Sequence, residues 1–151
     1  MVRITGSFLK NYETGDMIVM SILEQRSQDS VTGGKSLTET LEKVMRQIEY
    51  HCFTDLRRNR IDPFYKELCL VIAEVLVLNP ESTLKINGVL MYAPVVQEVY
   101  LQLHNDHVRL VFQNFHSVST RIYNKKAYLR TALYNVVFEL ESNYINEYNS
   151  L

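Results

Sequence analysis

Tryptophan is missing from this 151-residue chain, and cysteine is limited to Cys52 and Cys69. Two dispersed cysteines supply neither the disulfide framework of a small secreted domain nor the clustered ligands of a zinc site. Cys69, inside LCLVIAEVLVL, reads as a small buried hydrophobe, and a reducing, cytoplasmic compartment is expected. Long apolar runs are lacking too. The longest, 68–78, has 11 residues and contains Glu74, which is too short to span a bilayer. The opening MVRITGSFLKNYE has no apolar h-region, so neither a signal peptide nor a membrane partner is expected.

Catalytic signatures are equally scarce. GGKS at 33–36 has the tail of a phosphate-binding loop, but Asp29 stands where that loop begins with glycine, and its charge would repel phosphate. A flexible turn before a capped helix explains the stretch better. His104 and His107 flank Asp106 at helical spacing, with no third ligand placed beside them, so capping and packing are the simpler roles. No serine or cysteine sits in a nucleophile elbow or beside a paired base. The chain is expected to be a non-enzyme that holds no metal and no cofactor.

What is present is an ordinary globular composition, 46% hydrophobic and 22% charged, in a length that suits one domain with a substantial core. Residues 1–36 read as an arm or linker with one short helix at 17–23, followed by turn-rich SQDSVTGGKS. From Ser36 the signals strengthen. Ser36 and Glu39 have capping-box spacing ahead of Leu37, Leu41, Val44 and Ile48, which predicts a helix to about His51. Asp62-Pro63 starts a second helix to about Leu78, apolar on nearly all sides and therefore central. Asn87-Gly88 between two short apolar pieces predicts a hairpin at about 83–92. Pro94 opens a helix to about Leu103, Asn105 or Asp106 caps another to about Ser117, and 119–135 begins the last. The fold class is mainly α, a compact multi-helix domain over 37–151 with one small β-hairpin.

One absence is local. Residues 107–138 contain no Asp or Glu, yet they carry Arg109, Arg121, Lys125, Lys126 and Arg130 together with His107 and His116. Five of the sixteen cations lie there, leaving eleven against all seventeen acids, so a formal net charge of −1 conceals a bipolar chain. Such a segment is the footprint expected of a polyanion-binding face. On helical geometry, Arg109, Gln113 and His116 share one polar face of the 106–117 helix. In the last helix Ile122, Leu129, Leu133 and Val136 form the core stripe. Lys126 and Arg130 flank it on one side, Arg121 and Lys125 on the other. Flanking cations also snorkel from buried faces, so phosphate contact and a solvated rim both fit. Tyr123, Tyr128 and Tyr134 interleave with the cations as stacking platforms do. Ten tyrosines without a tryptophan also mark tyrosine as the general aromatic filler.

The order Thr120-Arg121-Ile122, Asn124, Lys126, Tyr128-Leu129, Leu133-Tyr134-Asn135 resembles the T-K-I-x-N-x-K-x-Y-L-x-x-x-L-Y-N signature of an uncharacterised helical domain. That domain lies at the C-terminus of replication initiator A proteins from plasmids and conjugative elements of Gram-positive bacteria. YLQLHNDHVRLVF is similar to its F-L-K-L-N-x-x-H-I-x-x-V at Leu101, Leu103, His107, Val108 and Val111. TLKINGVLMY resembles its I-R-I hairpin, and SNYINEY its tyrosine-bearing tail. The likeness covers about 60–148. It departs at His104, where the family has Asn, and at Gln97, where lysine is usual. The initiator's winged-helix domain has no counterpart in 1–59.

The resemblance implies a role around replication of mobile DNA. The first expectation is an accessory domain that contacts DNA with weak sequence specificity through Arg109, His116, Arg121, Lys125, Lys126 and Arg130. Its rival is a module that recruits host or element replication proteins, or self-associates as a homodimer. His107, Ile122, Asn124, Tyr128, Leu129, Tyr134 and Asn135 are expected to be structural.

Overall fold

Among the described residues, side-chain caps begin four of the five α-helices. The computed structural model describes residues 36–150; the arm expected over 1–36, with its helix at 17–23, lies outside them apart from Ser36. Ser36 Oγ accepts the Glu39 N–H at 3.1 Å and begins helix α1, Leu37–Gln47. The helix does not reach His51 as expected. Glu49 adopts a left-handed backbone (φ 52°), which ends the α path, and the chain continues as a 3₁₀ turn over Tyr50–Phe53. Asp62 accepts the Phe64 N–H at 2.9 Å, and Pro63 takes the first position of α2, Pro63–Leu76. Leu68, Cys69, Ile72 and Ala73 are wholly buried, because α2 touches all four of the other α-helices described.

Strands β1 (Thr83–Ile86) and β2 (Val89–Tyr92) pair antiparallel in the register Ile86 to Val89. Asn87 (φ 53°) and Gly88 (φ 77°) make the two-residue turn, in which both positions are left-handed. Leu84 and Ile86 face the core, so the hairpin lies against the helices on one side only. Helix α3, Ala93–Tyr100, follows without a loop.

Helix α4, Asn105–Ser117, departs from expectation at its cap, which is His104 rather than Asn105 or Asp106. His104 Nδ1 accepts the Asp106 N–H at 3.3 Å, while His107 Nδ1 accepts the His104 N–H at 3.0 Å. A reciprocal imidazole pair thus satisfies donors that a Ser and Glu satisfy in an ordinary capping box.

Helix α5, Lys125–Asn149, also starts later than its apolar rhythm suggests. Asn124 is extended (φ −123°, ψ 92°), and its Oδ1 accepts the Ala127 N–H at 3.0 Å. Residues 118–124 are therefore a linker, and Arg121 and Ile122 belong to it rather than to a helix face. Leu129, Leu133 and Val136 form the buried stripe, joined by Val137. Among the described residues the architecture is five α-helices, four of them around the central α2, with a single hairpin against α5. No helix among them is long and apolar enough to cross a membrane.

Candidate functional site

The acid-free segment folds onto the acids of α2. Lys125 Nζ meets Glu67 Oε2 at 2.9 Å and lies 4.8 Å from the Phe64 ring centre and 5.2 Å from that of Phe115. Its neighbour Lys126 reaches Glu74 Oε2 at 2.7 Å, and the Glu74 side chain is only 10% exposed. These pairs cross between α5 and the central helix. Losing Lys126 from the second would be costly, because a carboxylate withdrawn from water is destabilised without its counter-charge.

Arg109 is engaged as well. Its Nη2 donates to the Cys52 carbonyl and to Asn105 Oδ1, each at 3.3 Å, and its guanidinium covers the Phe53 ring at 5.2 Å. That ring begins an aromatic track. Phe53 stacks on Tyr65 at 4.0 Å, Tyr65 on Phe112 at 4.3 Å, and the His116 ring lies on Phe112 at 4.3 Å. His116 Nδ1 donates to the Phe112 carbonyl at 2.8 Å. Phe64 stacks on Phe115 at 4.7 Å, under Lys125. Arg109, His116 and Lys125 thus share one aromatic track, and each is held to it by protein partners. Cation–π contact of this kind gives the track its two charged covers.

Arg130 contributes its carbonyl, which accepts the wholly buried Tyr100 hydroxyl at 2.7 Å. Burial raises the Tyr100 phenol well above its ordinary range, against the pull of the Arg130 charge. Arg121 is exposed in the linker, 5.4 Å from the Tyr123 ring centre, and Tyr123 is itself 89% exposed. Of the six candidate cations, Arg109, His116, Lys125 and Lys126 thus have protein partners, and Arg121 is exposed in the linker.

The remaining motif residues occupy packing and linking positions. His107 is buried; that burial, reinforced by His104, lowers its pKa to about 4, and Asp106 only partly opposes the shift. Its Nδ1 acts as an acceptor, which requires the neutral ring. Tyr128 is half-buried in a T-shaped contact with Phe115, Leu129 is wholly buried, and Tyr134 lies beside Phe138. Asn135 exchanges two hydrogen bonds with Asn87. A cleft of about 170 Å³ between α4 and α5 includes Asn114, Thr131, Asn135 and Glu139. That is below the few hundred Å³ of an ordinary small-molecule site.

Two features escaped the sequence reading. Glu67 and Glu74 are seven residues apart on one face of a helix whose only other charge is Lys66, a visible signal that α2 receives cations. The second is the far half of α5. Every residue of 141–150 is exposed, and Phe138, Tyr144, Ile145 and Tyr148 are 47–79% exposed. Tyr134, Phe138, Ile145 and Tyr148 fall on one helix face, with Glu141 among them. No Lys or Arg occurs from 131 to 150, whereas Glu139, Glu141 and Glu147 do.

A family model described as "Family of unknown function (DUF6017)" matches residues 22–150. The chain belongs to that family. Comparison with curated proteins gives no match, and comparison with solved structures gives none. The family description carries no activity.

Proposed function

We propose that this is a non-catalytic protein-interaction domain, acting in the cytoplasm in replication of plasmid or mobile-element DNA. On this reading it docks a basic, apolar-faced segment of a replication protein along the exposed half of α5. The link to replication rests on the resemblance carried by 120–135; the mode of action rests on α5. The observation that carries it is a helix face bearing Phe138, Ile145 and Tyr148 in water, within a stretch whose only charges are glutamates. Exposed apolar side chains spaced along one helix are the half-site of helix-in-groove recognition. Their anionic setting selects a cationic partner. It also disfavours a second copy of the same helix, since acid would meet acid.

The expected phosphate face is less well supported, because Lys125 and Lys126 already have carboxylate partners. One observation keeps a second reading in view: the exposed Arg121 and Tyr123 of the linker pair a cation with an aromatic ring, as single-strand binders do.

The test uses a fluorescein-labelled, helical Leu/Lys peptide and its Leu/Glu counterpart as probes. The protein should bind the first and ignore the second. An Ile145→Ser/Tyr148→Ser variant, whose melt should match the parent, should lose at least about tenfold in affinity, or about 1.4 kcal/mol. Equal binding by parent and variant would overturn the reading.

A further inference from the structure

We propose that Glu49, His51 and Cys52 form a binding site for one zinc-class divalent metal ion. The site is independent of the α5 surface, and it lies where α1 ends. Cys52 Sγ is 3.6 Å from Glu49 Oε2 and 3.5 Å from His51 Nε2, and one ligand atom from each residue falls within a 4.8 Å cluster. Those separations can be compared with the requirements of a metal. Around tetrahedral zinc, with Zn–S near 2.3 Å and Zn–N or Zn–O near 2.0–2.1 Å, neighbouring donors stand about 3.3–3.6 Å apart. Both sulfur edges of the coordination tetrahedron are already at that length.

The backbone accounts for the convergence. Left-handed Glu49 turns the chain from α1 into the 3₁₀ turn, and the carboxylate meets the two side chains that follow it by two and three residues. All three residues are exposed, so an ion reaches them and its fourth position stays open to water or to another molecule's donor. A thiolate, an imidazole and a carboxylate are a borderline-soft set that suits zinc or cobalt and not magnesium or calcium. The turn is anchored from α4, through the Arg109 bond to the Cys52 carbonyl. Metal binding breaks the Cys52 S–H bond and forms metal–sulfur, metal–nitrogen and metal–oxygen bonds. The proton passes to solvent and the metal keeps its +2 state.

Without a metal, the same spacing suits a thiol hydrogen-bonded to the carboxylate. Cobalt(II) separates the two, because its bond to a thiolate gives a near-ultraviolet charge-transfer band that a hydrogen bond does not. Titrating cobalt(II) into the reduced full chain should develop that band at one equivalent, and zinc(II) should abolish it. Cys52→Ser should remove the band. His51→Ala should weaken binding by at least the 10–100-fold that losing even a supporting contact costs. Because these side chains are exposed, both variants should keep the parent's metal-free melt. As a check that needs no variant, zinc(II) should slow alkylation of Cys52 in the parent, read by mass spectrometry. No band at millimolar cobalt(II), or an equal band in Cys52→Ser, would overturn the site.

Discussion

Asn87 and Asn135 donate to each other through both amides, at 2.9 and 3.0 Å, and so fasten the hairpin turn to α5. The two residues do different amounts of local work. Asn87 also holds a left-handed backbone that asparagine tolerates better than most residues, whereas Asn135 sits in an ordinary helical position. Asn135→Ala is therefore the clean probe of the link. It should lower unfolding free energy by about 1 kcal/mol, the net value of a neutral hydrogen bond. Asn87→Gly keeps the turn, and in an Asn87→Gly/Asn135→Ala cycle the two losses should sum to more than the double variant shows. Strict additivity in urea unfolding would mean the pair carries no coupling.

His107 makes folding sensitive to mild acid. Its folded pKa is lowered to about 4 from an ordinary 6.5, chiefly by burial. Above pH 6.5 neither state binds the proton. Below it the unfolded chain is protonated first, so the contribution to stability falls between pH 6.5 and 4 and is level beyond that. The loss should be about 2 kcal/mol at about pH 5 and no more than about 3 kcal/mol in all. Urea unfolding of the parent and His107→Gln at about pH 7.5 and about pH 5 isolates this term. A His107 imidazole titrating near 6.5 by NMR in the folded protein would contradict it.

The elements were legible where one local rule decided them. Asn87-Gly88 required positive φ, and Asp62-Pro63 placed a cap before a proline; both structures follow directly. The apolar rhythm runs past Asn124, because Ile122 stands seven residues before Leu129 and so stays in helical phase with Leu129 and Leu133. Only the choice of Asn124 as a cap separates linker from helix. The His104–His107 pair was hidden because imidazole is an uncommon cap.

Gln97 closes the end of α2 from α3. Its amide donates to the Val75 and Leu78 carbonyls at 3.0 and 2.9 Å, acceptors that have no further turn of α2 to supply their donors. The site was harder to read than the fold. A charge count along the chain does not say which acids a cation meets, and the partners of Lys125 and Lys126 lie on α2. The Glu49, His51 and Cys52 cluster was equally invisible, since it depends on one left-handed residue.

The fate of Lys125 and Lys126 tests the account most directly, through the double variant Lys125→Gln/Lys126→Gln. Two quantities are measured on it: the thermal melt, and fluorescence anisotropy of a labelled oligonucleotide across a salt series. If both lysines serve the fold, losing them strands Glu74 in a largely buried position. The melting temperature should then fall by about 4–8 °C, equivalent to about 1–2 kcal/mol. Any DNA affinity should keep the parent's salt dependence. The contrary result is an unchanged melt with a logarithmic salt slope flattened by about one to two units, at roughly 0.7–0.9 per phosphate contact. That outcome would return the two lysines to a DNA-contacting face.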